Sequence, residues 1–428
     1  MDKLSGRVEA LTAEQRALLE ARVKKKGMTL ERSREPEGAE SVQGKAQPAA
    51  AKGRALSAER LTAGDLEMKF SLYFFSDDGS SSESEKYDLL LESAKFADLH
   101  GFSAVWTPER HFQKFGGLHP NPSVVAAALA VLTTQIKIRA GSVALPIHHP
   151  ARVAEEWSVV DNLSHGRVGV SFASGWHPDD FIFAPAEYEN RKEVMFDHIR
   201  KIERLWAGEE VAFEGTNHTD LRLRIFPKPI QSKLPVWLTT AGSPTTWAKA
   251  GEIGANVLCA LVGYSFEDLA DLIQLYRKTR AEYGHDPRTG QVTVMVHTYI
   301  GEDEDEVRAL VHDPLCNYLC SYFQQFESVV QGGESITEAD RLAIASRAFD
   351  AYYDASLLIG TMNKCNALVD RLAELGVDEL ACLIDFGLDF NSVMESLDRL
   401  RILKQQYQPG RPARALAPPD TIGMDAHD

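Results

Sequence analysis

Several absences narrow the field before any motif is considered. The 428 residues hold no run approaching the ~20 apolar residues that a membrane span needs. The opening stretch, MDKLSGRVEALTAEQRALLEARVKKKG, is charged throughout, so no signal peptide is expected. Cysteine is scarce: Cys259, Cys316, Cys320, Cys365 and Cys382 form an odd set without regular spacing. That argues against a disulfide framework and predicts a soluble chain in a reducing cytoplasm. Positive charge is outnumbered, 46 Lys plus Arg against 62 Asp plus Glu, for a net charge of −16. An acidic surface repels phosphate backbones and anionic lipid, which leaves nucleic acid and membrane as poor partners. No G-x-G-x-x-G joins a strand to a helix and no P-loop occurs, so a dedicated dinucleotide or nucleoside triphosphate site is not expected.

What is present divides into four parts. Residues 1–27 carry Leu11, Leu18, Leu19 and Val23 at helical spacing and predict a short amphipathic helix. Residues 28–66 turn to Glu, Arg, Gly, Ala, Pro and Gln, too polar to offset their ordering entropy, and predict a disordered linker. Residues 409–428, rich in Pro and Ala, predict a flexible tail. Between them, over residues 67–408, short apolar runs alternate with amphipathic stretches. Strands are expected at 68–75, 102–106, 136–143, 167–172, 236–240, 255–260, 291–300 and 379–385, with helices between them and a surface hairpin at 211–225. A polar and aromatic segment, 314–355, interrupts the rhythm after a helix at 303–312 and is given no fold. Alternation suits an open doubly wound sheet as well, but eight strand–helix pairs over roughly 340 residues favour a (β/α)8 TIM barrel with insertions.

In such a barrel the chemistry sits at the carboxyl ends of the strands. There the sequence places Glu109-Arg110-His111-Phe112 after the second strand, Gly141-Ser142 in the third, and Ala173-Ser174 with His177 and Asp179 after the fourth. Thr240-Ala241-Gly242-Ser243 runs from the fifth strand into a helix. Its glycine and free helical N–H groups suit a phosphate, with Arg191 as a converging cation, although such turns also serve merely to cap helices. His111 could act as an acid, a base or a hydrogen-bonder, or simply tie down its loop. Arg110 could attract an anionic substrate group, but pairing with Glu109 as a strut is preferred. His177 is a candidate to gate or contact substrate. Asp385 could accept a hydrogen bond near a cofactor or cap a turn. His148-His149 has the look of a metal pair, yet adjacent side chains diverge, and Cys316 with Cys320 lacks further ligands, so no metal is expected.

The motifs Ala104-Val-Trp-Thr-Pro-Glu-Arg-His-Phe112, Leu145-Pro-Ile-His-His-Pro150, Asp161-Asn-Leu-Ser-His-Gly-Arg167, Gly175 through Arg191, and Thr239 to Trp247 together resemble the bacterial luciferase family of flavin-dependent monooxygenases. The similarity runs in register from Lys69 to Leu403. Within the family, Glu109-Arg-His-Phe with Phe-Gly-Gly-Leu and Leu383-Ile-Asp-Phe-Gly387 resembles the natural-product branch, and Leu11–Leu19 resembles linker helices beside nonribosomal peptide synthetase modules.

The resemblance implies reduced FMN supplied by a separate flavin reductase, with O2 as co-substrate. The product would be a hydroxylated or Baeyer–Villiger-inserted natural-product intermediate, free or bound to an assembly-line carrier protein. It further implies a non-proline cis peptide at Gly141–Ser142 beneath the flavin ring. Ala173 and Ser174 would line the ring's pocket, and Arg191, Thr240, Ala241, Gly242 and Ser243 would hold the phosphate. A homodimer is the expected assembly. Arg110 stands where luciferase has a catalytic histidine, and arginine stays protonated, so light-emitting chemistry does not carry over. Two alternatives remain: a deazaflavin-dependent hydride-transfer enzyme on the same barrel, and a non-catalytic flavin-binding subunit.

Overall fold

A computed structural model describes residues 67–75, 85–329 and 337–408. The expected helix at 1–27, linker at 28–66 and tail at 409–428 lie outside the described residues.

Eight parallel strands close into a barrel: β1 (Lys69–Tyr73), β2 (Ala104–Thr107), β3 (Lys137–Ala144), β4 (Val168–Ala173), β7 (Val236–Thr240), β8 (Asn256–Ala260), β9 (Val292–Gly301) and β11 (Glu379–Leu383). Closure comes from β11 pairing with β1, Glu379 opposite Lys69 through Leu383 opposite Tyr73. All eight were expected from sequence. Strands of this kind are covered on both faces, by barrel interior and by helices, and so read as near-continuous apolar runs. Between β4 and β7, β5 (Val211–Glu214) and β6 (Asp220–Leu223) form the expected antiparallel hairpin.

The outer ring comprises α1 (Asp88–Leu99), α2 (Pro122–Leu132), α3 (Pro150–Leu163), α4 (Arg191–Trp206), α5 (Pro244–Glu252) and α6 (Phe266–Glu282). It continues with α7 (Glu304–Val329), α8 (Glu338–Tyr353), α9 (Met362–Glu374) and α10 (Phe390–Gln405). Proline sits in the first turn of α2, α3 and α5, where its missing N–H has no helical acceptor to lose. The Asn121 side chain caps α2 by accepting from the amides of Ser123 and Val124 at 3.0 and 3.1 Å.

The segment left without a fold is mostly helical. Helix α7 does not stop at His312 but runs through Pro314. A proline inside a helix costs ~3 kcal/mol, yet Val311, Leu315, Cys316, Tyr318 and Leu319 are all buried, and the apolar face carries across the break. Helix α8 packs back on α7 and leads into β10 (Leu358–Thr361), a short ninth strand that the sequence reading lacked. It pairs with the upper half of β9, Leu358 opposite Thr298, whereas the lower half of β9 pairs with β8 and β11.

The barrel interior also contains a buried ion pair. Arg139 of β3 donates to both oxygens of Glu379 at 2.9 Å, with its guanidinium 4.9 and 4.4 Å from the Trp106 and Trp237 rings, which pack edge-on at 5.3 Å. Ser71 Oγ (2.6 Å), Gln291 Nε2 (2.6 Å) and Trp106 Nε1 (3.2 Å) also donate to Glu379.

Candidate active site

The loops after β2, β3, β4 and β7 meet at the barrel mouth, where Glu109 is the hub. Its side chain is almost wholly buried. One carboxylate oxygen, Oε2, accepts the Ala144 amide at 2.7 Å, tying the end of β2 to the end of β3. The other, Oε1, lies 3.0 Å from His111 Nε2 and 2.5 Å from His148 Nε2. Burial opposes ionisation of Glu109, but the two histidines and the Ala144 amide outweigh it and hold the carboxyl at about 2. Burial likewise pulls His148 down, and the Glu109 carboxylate more than offsets this, so its pKa is raised. Ionised Glu109 accepts at Oε1, which makes His111 Nε2 the protonated nitrogen and leaves Nδ1 for other work. Among the described residues, His111 Nδ1 makes no hydrogen bond.

Arg110 does not form the expected strut with Glu109, because that carboxylate is already taken by two histidines and an amide. Instead the buried guanidinium faces Asp180 at 3.5 Å, donates to Gln325 of α7 and lies 5.4 Å from the Trp176 ring. It thereby joins the β2 loop, the β4 loop and α7. Phe115 of the β2 loop packs on Tyr318 and Tyr322 of α7 at 4.8 and 6.0 Å, so α7 covers this side of the mouth. The rings of His111, Phe112 and Phe183 form one cluster, with His111 at 5.6 and 5.0 Å from the two phenylalanines and these 5.6 Å from each other. Both phenylalanines are more than half exposed, and Phe112 has a left-handed backbone with φ of +58°.

The remaining candidates fall into place around this hub. His177 is buried and caps the short helical turn Pro178–Phe183, its Nδ1 accepting the Asp179 amide at 3.3 Å. The Gly141–Ser142 peptide is cis, and the Gly141 carbonyl accepts from the Tyr73 hydroxyl. Ser142 falls in a register break between β3 and β4. Ala173 ends β4, and Ser174 follows it, half-buried. Asp385 accepts the Phe75 amide at 2.9 Å and so ties the ends of β11 and β1 together.

At the β7–α5 turn, Gly242 has φ of +90°, a conformation that L side chains resist, and Ser243 is the N-cap residue of α5. Three buried polar atoms close no hydrogen bond around it among the described residues: Thr240 Oγ1, Trp247 Nε1 and Tyr264 Oη. The Tyr264 hydroxyl faces the other two and the Gly242 amide. These groups face one another short of good hydrogen-bond geometry, and a ligand at the turn would complete them. Arg191 opens α4, stacked 4.6 Å over Tyr188 and donating to its carbonyl at 2.6 Å. Helices α4 and α5 meet where Lys249 lies 5.6 Å from the Phe196 ring. Free helical N–H groups with hydroxyl and indole groups beside them fit the phosphate and ribityl chain of a flavin.

Sequence reasoning missed His148, Asp180, Gln325, Trp247 and Tyr264. Tyr264 lies in the loop after β8, where the strand-end rule would have found it. For His148 the sequence favours a structural role over one in a metal pair with His149. His148 does diverge from His149, which instead packs on Phe213 at 5.0 Å, but it converges on Glu109.

Two buried histidines give the fold an acid-sensitive character. Burial lowers His119 and His297 to about 4 each. The unfolded chain takes up these protons near pH 6.5 and the folded chain does not. Stability is therefore complete above pH 6.5 and falls as pH drops towards 4, by about 3 kcal/mol for each histidine. His297→Phe is expected to lessen this loss, measured as denaturant midpoints at pH 7 and pH 4.5. An equal drop in parent and variant would contradict the assignment.

Comparison with known proteins bears on the family and the fold. The family model for luciferase-like monooxygenases matches residues 68–379. The oxygenase component of flavin-dependent trigonelline monooxygenase from Acinetobacter baylyi is 25% identical over 342 residues, 78% of this chain and 93% of that protein. Among solved structures, the oxygenating constituent of 3,6-diketocamphane monooxygenase from Pseudomonas putida, a type II Baeyer–Villiger enzyme in complex with FMN, superposes with a TM-score of 0.65. It is 20% identical and covers 80% of this chain and all of its own. An F420-dependent secondary alcohol dehydrogenase superposes with a TM-score of 0.60 at 15% identity, over 80% of this chain and 99% of its own. At these identities the two structures speak for the shared fold alone.

Proposed function

This chain belongs to the luciferase-like monooxygenase family, and from that premise we propose that it is the oxygenase component of a two-component, FMN-dependent system acting on a natural-product intermediate. The observation that supports a phosphate-ended flavin is the Gly242–Ser243 turn with the Thr240, Trp247 and Tyr264 polar groups beside it; FMN itself is taken from the family resemblance. Arg191, Gly242, Ser243, Thr240 and Ala241 would hold the phosphate end, and Gly141, Ser142, Ala173 and Ser174 would border the ring. Reduced FMN, delivered by a separate flavin reductase, supplies the electrons that activate O2 for transfer of one oxygen atom to substrate.

The chain's own residues do the rest. Glu109 fixes the tautomer and orientation of His111, leaving Nδ1 to take or return a proton at the substrate. Arg110, through Asp180 and Gln325, holds the β2 loop, the β4 loop and α7 together, so that the apolar wall of Phe115, Tyr318 and Tyr322 excludes water. His177 keeps the β4 loop in its turn. The exposed Phe112 and Phe183 suit an apolar substrate, whether hydroxylated or opened by Baeyer–Villiger insertion. Delivery on a carrier protein rests on the sequence of residues 1–27.

The exposed Val124 and Val131 of α2 and Val159 and Leu163 of α3 suit a homodimer contact. An acidic chain with scarce, unpaired cysteines suits the cytoplasm, and among the described residues no helix is long and apolar enough to cross a membrane.

The reading is tested by mixing the protein with reduced FMN and O2, and separately with a reduced deazaflavin under anaerobic conditions. Binding and slowed reoxidation of reduced FMN support it. Binding of the deazaflavin alone would replace it with hydride transfer.

A further inference from the structure

We propose that Glu109, His111 and His148 form a binding site for a divalent transition-metal ion, zinc being the best match. Among the described residues, only this group brings three potential ligand atoms from His, Cys, Asp or Glu within 4.8 Å of one another. Both imidazoles present Nε2 to the same carboxylate oxygen, at 3.0 and 2.5 Å. Two imidazoles and one carboxylate are the ligand set of open zinc sites, which keep a fourth position for water or another ligand. Calcium and magnesium require a shell of six or more oxygens and are not matched.

The support around the site has the form that metal ligands use. The second oxygen of Glu109 is fixed by the Ala144 amide at 2.7 Å, as outer partners orient a coordinating carboxylate. The ligands come from two loops with different freedom. Glu109 and His111 follow β2 and are largely enclosed, whereas His148 follows β3 with about a third of its side chain exposed. His148 can therefore withdraw to admit an ion, and its exposed side gives the ion a path in. The expectation that no metal binds rested on His148 and His149 as a pair. The fold separates those two and supplies Glu109 and His111 in place of His149.

An ion here competes with protons on the same imidazoles, so affinity rises with pH as the histidines become neutral. By binding His111 Nε2 it also shifts the imidazole proton to Nδ1, which can then no longer accept a proton from substrate. The site thus works as an inhibitory one, a consequence that rests on the proposed role of His111, whereas metal binding itself does not.

The experiment uses the full chain without flavin or substrate. Co2+ is added as a spectroscopic probe, then displaced by Zn2+, with affinity read by competition against a chromophoric chelator. Visible absorption typical of four- or five-coordinate Co2+ is expected at one ion per chain. His148→Gln should weaken binding at least tenfold while His218→Gln, a change in the exposed hairpin, leaves it unchanged. Near-UV circular dichroism checks that His148→Gln is folded, and Glu109→Gln supplies a second ligand variant. No Co2+ absorption, or equal affinity in parent and His148→Gln, would overturn the site. If the ion binds and His148→Gln abolishes it, but zinc leaves oxygenation unaffected in a separate assay with reduced FMN, O2 and substrate, the site stands and the role of His111 falls.

Discussion

Arg139→Met is expected to destabilise the folded chain by about 3–5 kcal/mol, the cost of leaving one member of a buried ion pair without its partner. Glu379 is fully buried, and Arg139 alone supplies the compensating charge, at 2.9 Å to both oxygens. Ser71, Gln291 and Trp106 would still donate to the carboxylate, but they are neutral and cannot replace the guanidinium. The replacement of both residues, Arg139→Met with Glu379→Leu, should be much milder than the single change, because no buried charge remains. Urea midpoints on the parent, the single and the double variant check this. A single variant within 1 kcal/mol of the parent (about the cost of an ordinary substitution) would show that the pair is not the electrostatic floor of the barrel.

His111→Asn is expected to lower kcat by roughly 10²–10⁴, the range of general acid–base catalysis, while reduced-FMN affinity stays near that of the parent. The separation follows from position: His111 lies on the β2 loop against Glu109, whereas the proposed phosphate contacts lie after β4 and β7. Glu109→Gln should reproduce much of the loss, since a neutral amide no longer enforces the Nε2 proton on His111. The check is a kcat–KM split with flavin affinity measured separately. A loss confined to flavin affinity would make His111 a packing residue of the loop.

Most of the barrel could be read from sequence because its strands are short apolar runs, punctuated by helices with Pro122, Pro150 and Pro244 in their first turns. The failures share a physical cause. Pro314 reads as a helix breaker, and only the apolar positions that follow, buried against the barrel and α8, keep α7 going. Strand β10 has four residues and exists because the upper half of β9 offers an open edge. Arg139 and Glu379 are 240 positions apart and meet only through barrel closure.

At the site, strand-end position was enough to single out Glu109, Arg110, His111 and the Gly242 turn as candidates. Partner choice was not legible in the same way. Glu109 could have bonded its neighbour Arg110, but the backbone of its loop sends the arginine towards Asp180 and α7 and brings in His148 from the next strand. Side-chain direction at a loop is set by φ and ψ, and residue order does not display it.

A reduced-flavin seat at the mouth of the barrel is tested by an anaerobic titration of the parent and Arg191→Ala with reduced FMN. Saturable binding by the parent is expected at one flavin per chain. In Arg191→Ala affinity is expected to be weaker by roughly 10- to 100-fold, the worth of one hydrogen-bonded charge. Equal affinity in the two proteins, or no binding by the parent, would contradict this seat.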